Sequence, residues 1–507
     1  MKKSLHNIHN LLKKNYSTDL KWKSVVGLEV HAQISSESKL FSGASNEFAS
    51  AVNKNVSLFD CSIPGTLPVL NKRCVEAGVL TGIALNCKIN PVSYFDRKHY
   101  FYADLPTGYQ ITQQRAPLAN DGYIEFHVYT PGVNKKPYET KARIKQLQLE
   151  QDSGKSLHED TKSLVDLNRA GCPLMEVVFE PDLKDGEEAA SLVKELITIL
   201  QRIDTCSCKM EEGALRVDAN VSVHLPGEPY GVRTEIKNIG SIRGVAGAVK
   251  YEINRQIKIL QDGGKIINET RAWDANSKST VAMRDKEQQQ DYRYMPEPNL
   301  PPLHIALGPV EQGCVNVDKL KESIPELPQQ TRERLQETFG LTLEQSVILV
   351  NESKLLYIFE SVLDQSISPK LLTNLLLNDL LTIINKEKLS LDEISISLSH
   401  LKEIVVLLSN GEINRNTCKL LLERVVQGDS DSPRNIVEKE GWSQINDLEE
   451  IKVICKRILD ENPKMVKQYH DGKAKVFKAF LGIADLKSNH RVNMSVVNNV
   501  MKELLKK

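Results

Sequence analysis

Apolar and polar positions alternate along VVGLEVHAQI, residues 25–34. Val26, Leu28, Val30, Ala32 and Ile34 fall on one side, and Gly27, Glu29, His31 and Gln33 on the other. A period of two predicts a β-strand with one buried face. GALRVDANVSV repeats the pattern: Leu215, Val217, Ala219, Val221 and Val223 oppose Arg216, Asp218, Asn220 and Ser222. In RTEIKNI, Arg233, Glu235 and Lys237 share a side, and in CPLMEVVFE, Glu176 interrupts a run of Leu174, Met175, Val177 and Val178. Water on the polar face explains one such strand. Several of them, each with an apolar back and with acids, amides and bases in front, predict a single sheet whose open face carries chemistry.

Helical periods enter later. DGEEAASLVKELITIL is the first clear helix, with Asp185 as cap, Glu188 at capping-box spacing, and Ala189, Leu192, Val193, Leu196 and Leu200 as its buried stripe. A second is predicted near Ile242–Leu260, with Val249, Ile253 and Ile257 on one face and Gly263-Gly264 as the stop. In YMPEPNLPPL, Pro296, Pro298, Pro301 and Pro302 exclude both helix interior and central strand, which marks a domain boundary. Beyond it Leu, Ile, Lys, Glu and Asn recur in helical periods, and QGDSDSPRN forms a second linker. The expected architecture is α+β: a largely antiparallel sheet domain over 23–303, an all-α helical domain over 304–430, and a small helical tail over 431–507. The tail is basic, with Lys464, Lys467, Lys473, Lys475, Lys478 and Lys487 among its cations. No repeat of fixed period is present.

Composition narrows the class. A chain of 507 residues exceeds one ordinary core, and 40% hydrophobic with 26% charged residues describes a folded protein. No window approaches the length of apolar sequence that spans a bilayer, so no membrane partner is expected. Lys+Arg and Asp+Glu both total 66, so a nucleic-acid partner must be held by a local basic patch. The nine cysteines are odd in number and scattered, which indicates free thiols in a reducing compartment. Residues 1–22 differ from the rest. They hold Lys2, Lys3, Lys13 and Lys14, no acid before Asp19, and Leu5, Ile8, Leu11 and Leu12 on one helical face. Although it lacks arginine, that leader predicts import into an organelle, the mitochondrial matrix first and a plastid second.

The polar faces supply carboxylates suited to a hard cation such as Mg²⁺, and Arg and Lys suited to phosphate oxygens, which together form an inventory for phosphoryl transfer. In LEQDSGKSLHED, Gly154-Lys155-Ser156 imitates the end of a phosphate-binding loop, but Leu149 stands where that loop needs glycine. Glu150, Asp152 and Lys155 are therefore polar loop positions, functional or solvated. The chain has no dinucleotide-binding glycine fingerprint, no nucleophile elbow, no glycine-serine-rich amidase signature and no paired C-x-x-C set. It carries no recognisable hydrolytic nucleophile of its own.

Seven ordered segments, VVGLEVHAQI, YFYADLPTGYQITQ, LEQDSGKSLHED, LVDLNRAGCPLMEVV, EEGALRVDANVSV, EIKNIGSIRGVAGAVKYEI and DYRYMPEPNLPPL, resemble the B-subunit family of glutamyl-tRNA(Gln) amidotransferases. The basic end, NPKMVKQYHDGKAKVFKAFLG, is similar to that family's helical tail. The resemblance implies an ATP- and Mg²⁺-dependent ligase that phosphorylates the glutamyl side chain of misacylated Glu-tRNA(Gln). Ammonia from a separate amidase, the A subunit, then displaces the phosphate, and a small C subunit or its equivalent braces the pair. The missing nucleophile agrees with a glutaminase on a partner.

Carried over by position, the resemblance implies Glu29, His31, Glu176 and Asp218 as metal-site residues and Lys98 as a lysine on the route to the site. Glu29, Glu150 and Lys98 are expected to act on substrate, and Arg216 and Lys155 to hold the nucleotide. Two departures stand out. Gln151 replaces a second glutamate, so if that position is a ligand it offers the metal only a neutral oxygen. Thr107 replaces a lysine. Where some relatives bind zinc, this chain has Ser42, Ala44, Ser57 and Asp60, so no zinc is expected. A catalytically reduced tRNA-binding scaffold of the same complex is the alternative, with Gln151 and Thr107 as traces of lost chemistry.

Overall fold

The computed structural model describes residues 22–283, 292–308, 313–391 and 394–506. The expected leader, save Trp22, lies outside them. Packing divides the chain into two compact units between Thr331 and Arg332.

Among the described residues the first unit contains sixteen strands. They are β1 (Lys23–Gln33), β2 (Lys88–Ile89), β3 (Val92–His99), β4 (Tyr109–Ala116), β5 (Ala119–Val128), β6 (Tyr138–Gln151), β7 (Lys155–His158) and β8 (Ser163–Asp166). The rest are β9 (Pro173–Phe179), β10 (Leu215–His224), β11 (Thr234–Lys237), β12 (Glu269–Asp274), β13 (Ser279–Ala282), β14 (Arg293–Pro296), β15 (Leu303–Ala306) and β16 (Val315–Asn316). Nine of them form one sheet in the order β13-β12-β11-β10-β1-β9-β6-β5-β2. Every pairing in it is antiparallel except β11–β12. This is the expected α+β, largely antiparallel architecture.

The alternation seen in β1 and β10 is what buries the sheet on one side. Val26, Leu28, Val30, Leu215, Val217, Ala219 and Val221 are all within the main core. Helices cover that face: α1 (Lys72–Ala84), α2 (Gly186–Arg202) and α3 (Ile242–Gln261). Asp185 caps α2 by accepting from the amides of Glu187 and Glu188. Glu188 reaches back one residue further than a capping box requires, accepting from the Lys184 amide at 2.8 Å. Gly186 lies where an added Cβ would meet the Ala246 carbonyl oxygen of α3 at 2.2 Å, so the two helices meet at a glycine. α1 precedes the helix read as first in the sequence. Cys74, Val75, Ala77, Gly78, Val79, Leu80, Thr81, Gly82 and Ala84 are all buried, so it has no amphipathic stripe to betray it.

A second sheet, in the order β14-β3-β15-β16 with β4 also on β3, approaches the open face. Its β14 and β15 lie at the two ends of the proline-rich run. The second unit is helical. One core gathers residues from Leu335 to Val437, and another is built by Leu448–Glu461, Lys475–Lys487 and Met494–Leu504 around Ile451, Phe480 and Met501. Lys464, Lys467, Lys473, Lys475 and Lys478 are exposed. Among the described residues, no helix is long and apolar enough to cross a membrane.

Candidate active site

Register lays one row of side chains across the open face. His31 on β1 lies opposite Arg216 on β10 and Glu176 on β9, and Glu176 lies opposite Gln148 on β6. Two residues beyond Gln148, Glu150 points to the same face. Glu150 Oε1 lies 3.3 Å from His31 Nε2, and Glu176 Oε1 lies 3.9 Å from the same nitrogen. One ligand atom from each of the three lies within 4.8 Å of the others. Among the described residues this is the one such group of His, Cys, Asp or Glu.

Two members of the cluster, His31 and Glu150, line a cavity of about 450 Å³, a size suited to a small ligand. Its walls include His31, Glu150, Arg216 and Asp218 from the large sheet, Lys98 and Gln110 from the second sheet, and Tyr100, Asp152, Lys237 and the turn Asn238–Gly240. Lys98 Nζ lies 4.6 Å from the Tyr292 ring centroid. Arg216 Nη2 donates to Asp152 Oδ2 at 3.0 Å, whereas its Nε is buried without a hydrogen-bond partner.

Electrostatics separate the two acids. Burial works against charge on Glu150, but the His31 hydrogen bond and the charges of His31, Lys98 and Arg216 prevail and hold it near 2. For Glu176, burial and the neighbouring Glu150 carboxylate act together and raise it to about 7. Burial also opposes charge on His31, yet the Glu150 hydrogen bond and both carboxylates raise it to about 9. On Lys98, burial is outweighed by Glu150, Tyr294 and Glu176, so its ammonium is reinforced. The site thus crowds two acids and balances them with the cationic groups of His31, Lys98 and Arg216. A donor set of two carboxylates and an imidazole accepts a divalent cation, which would relieve the crowding that keeps a proton on Glu176. The unpartnered Arg216 Nε is a ready donor to an anion. These residues fit Mg²⁺ and the phosphates of a nucleotide.

The other expected residues lie as follows. Glu29 shares the face, opposite Asp218, and its Oε1 accepts from Asn220 Nδ2 at 3.0 Å, outside the three-residue cluster. Asp218 lines the cavity, its Oδ2 3.3 Å from Lys237 Nζ. Lys155 is exposed on the β7–β8 hairpin and does not border the cavity. Gln151 has the opposite parity to Glu150. Its residue borders a separate small cavity with Thr107, Asp60 and Asp152, so the structure does not bring it to the cluster. Both departures from the family pattern therefore share this second cavity. Beside it, the buried Asp60 Oδ2 meets Lys39 Nζ at 3.1 Å, Ser42 Oγ at 3.2 Å and the Ser57 amide at 2.9 Å.

A family model described as the GatB/GatE catalytic domain matches residues 24–311, and one described as the GatB domain matches residues 357–505. The chain belongs to the GatB/GatE family. It is 54% identical to a protein of Aedes aegypti named as the mitochondrial B subunit of glutamyl-tRNA(Gln) amidotransferase, over 98% of each chain. A human protein of the same name is 46% identical, over 96% of this chain and 89% of its own. The B subunit of the aspartyl/glutamyl-tRNA(Asn/Gln) amidotransferase of Rickettsia typhi is 43% identical, over 96% of this chain and 98% of its own. The resemblance carried by the seven segments stands.

In this GatB/GatE chain the structure adds Tyr100, Gln110, Thr112, Gln148 and Lys237 to the surroundings of the cluster and brings Asp152 to the cavity. Lys237 is legible in the sequence as a face-sharing cation. Thr112 and Gln110 carry no local signal, since they act through residues 38 and 41 positions away.

Proposed function

We propose that the chain is the component of a mitochondrial glutamyl-tRNA(Gln) amidotransferase that activates the glutamyl side chain of misacylated Glu-tRNA(Gln) for amidation. The observation that carries this reading is the convergence of His31, Glu150 and Glu176 beside a cavity also lined by Lys98, Arg216 and Lys237. A carboxylate acylates poorly because its leaving group is oxide. ATP with Mg²⁺, when bound, supplies the phosphoryl group that makes the leaving group good.

The chain's residues do the rest. Glu150 and Glu176, with His31, hold the cation. Arg216 and Lys237 hold phosphate oxygens, and Arg216 does so through the Nε that has no partner within the protein. Lys98 offers positive charge where two anions must meet. Glu29 and Asp218 sit one register step from the cluster and orient its edge through Asn220 and Lys237. Ammonia comes from a partner amidase, in keeping with the lack of a recognisable amidase signature in this sequence, and a small third protein braces the pair. The exposed tail lysines within 431–507 meet the tRNA backbone, where each phosphate contact adds salt dependence. The helices of residues 332–430 link that tail, along the chain, to the catalytic domain.

One experiment tests this reading. The assembled complex is given Glu-tRNA(Gln), ATP and glutamine, with Glu150→Gln as the variant. Loss of Gln-tRNA(Gln) formation with tRNA binding retained is expected. Undiminished formation in the variant would establish the scaffold reading instead.

A further inference from the structure

Behind the two carboxylates runs a chain of neutral hydrogen bonds. Gln148 is 2% exposed and does not border the cavity. Its Nε2 has two hydrogens and both are used: one goes to Glu176 Oε2 at 2.6 Å and the other to Thr112 Oγ1 at 3.1 Å. Its Oε1 accepts from Gln146 Nε2, which fixes the orientation of the amide. Thr112, also buried, spends its own hydrogen on Glu150 Oε2 at 3.3 Å. One continuous chain therefore grips one oxygen of each acid, and in both it is Oε2. In both, Oε1 is the oxygen turned toward His31.

A carboxylate with one oxygen committed in this way presents a single oxygen to a cation. Mg²⁺ is small, demands octahedral geometry and is content with single oxygens. Ca²⁺ is larger, takes more ligands and commonly draws on both oxygens of a carboxylate. An amide and a hydroxyl are suited to this task because they orient the acids without cancelling the charge a cation needs. A lysine in the same place would hold them equally well and weaken the site.

We propose that Gln148 and Thr112 are positioning residues that hold Glu176 and Glu150 one oxygen outward and thereby select Mg²⁺ over Ca²⁺. The inference rests on the reading of this cluster as a divalent-cation site, and it adds the residues that set which ion is taken.

The assembled complex, without nucleotide, is titrated separately with Mg²⁺ and with Ca²⁺ by calorimetry. The unchanged chain is compared with Thr112→Val, Gln148→Leu and Thr112→Ser. Loss of such outer partners changes metal affinity by about tenfold or more, so Thr112→Val and Gln148→Leu are expected to lose about that factor in Mg²⁺-over-Ca²⁺ preference. Thr112→Ser keeps the hydroxyl and is expected to keep the preference. An unchanged preference in both disruptive variants overturns the proposal and leaves the cation site standing. Uptake of neither ion by the unchanged chain overturns the site itself and, with it, the proposed function. Should Gln148→Leu fail to assemble, the near-isosteric Thr112→Val decides, with Thr112→Ser as its control.

Discussion

Glu150 Oε1 and His31 Nε2 lie 3.3 Å apart although their strands are not paired, since β9 runs between β1 and β6. The contact is a diagonal reach over Leu174, the residue opposite Glu150 on the intervening strand. Glu176, two residues further along β9, closes the triangle. Burial and the Glu150 charge raise Glu176 to about 7, whereas His31, Lys98 and Arg216 overcome burial and hold Glu150 near 2.

Cation uptake should therefore depend on pH. In the metal-free site Glu176 is raised to about 7 and His31 to about 9, so near pH 6 both carry protons that a cation must displace. Mg²⁺ affinity should rise by up to about tenfold per pH unit for each proton displaced, and the rise should span pH 6 to 9. Calorimetry in buffers of different ionisation enthalpy counts the protons released. Metal-free stability should move the opposite way. Raising Glu176 above its ordinary 4.5 costs stability as pH climbs through about 7, and the stabilisation His31 draws from its partners, complete below 6.5, is lost as pH climbs through about 9. The metal-free melting temperature should fall from pH 6 to pH 9, and Mg²⁺ should restore it most at the alkaline end.

The His31 proton gives a direct readout of the contact with Glu150. Glu150 contributes both the hydrogen bond and much of the charge that raise His31, against the opposing effect of burial. Glu150→Gln should bring the His31 midpoint from about 9 toward its ordinary 6.5, followed by NMR of the imidazole. A midpoint that stays near 9 would show that Glu176 alone holds the proton.

Much of this site is legible in the sequence, and the parts that are not share a cause. Strand period places Glu29, His31, Arg216 and Asp218 on one face, and an acid within an apolar run singles out Glu176. Parity decides between Glu150 and Gln151 only once the strand is known to run unbroken through Gln151. Without that, a loop reading leaves both as candidates. Thr112 and Gln148 escape notice because their use depends on how β4 approaches β6, which no local period encodes. The largely buried α1 escapes for a related reason, since periodicity reveals best the elements with one wet side.

The buried Lys39–Asp60 pair should behave as a staple whose halves are worse apart than absent. Lys39 Nζ meets Asp60 Oδ2 at 3.1 Å and the Leu167 carbonyl at 3.3 Å. Asp60→Ala strands a buried ammonium, which costs about 3–5 kcal/mol. Lys39→Met combined with Asp60→Asn removes both charges, keeps an oxygen for the Ser57 amide, and should regain most of that loss. Denaturant unfolding of the three chains makes the comparison. Equal losses in the single and double variants would show that the oxygen contacts, not the charge balance, hold this region.

Gly186 tests how closely the layer beneath the site is packed. It is the first residue of α2, directly after the capping Asp185, and a Cβ there would stand 2.2 Å from the Ala246 carbonyl oxygen of α3. Backbone is the obstacle, so no rotamer change relieves it. Either α2 or α3 must shift, at a cost of about 1–3 kcal/mol for overpacking. Ala246 and Val245 lie on α3 near its start, just after the turn Asn238–Gly240 that lines the cavity. A shift of α3 therefore displaces part of the nucleotide wall, while the His31 cluster is carried by strands. Gly186→Ala should lower the melting temperature and weaken ATP binding while leaving Mg²⁺ uptake by the free site near its original affinity. Equal weakening of both would mean that the sheet moves with the helices, and an unchanged melting temperature would mean that α3 yields freely.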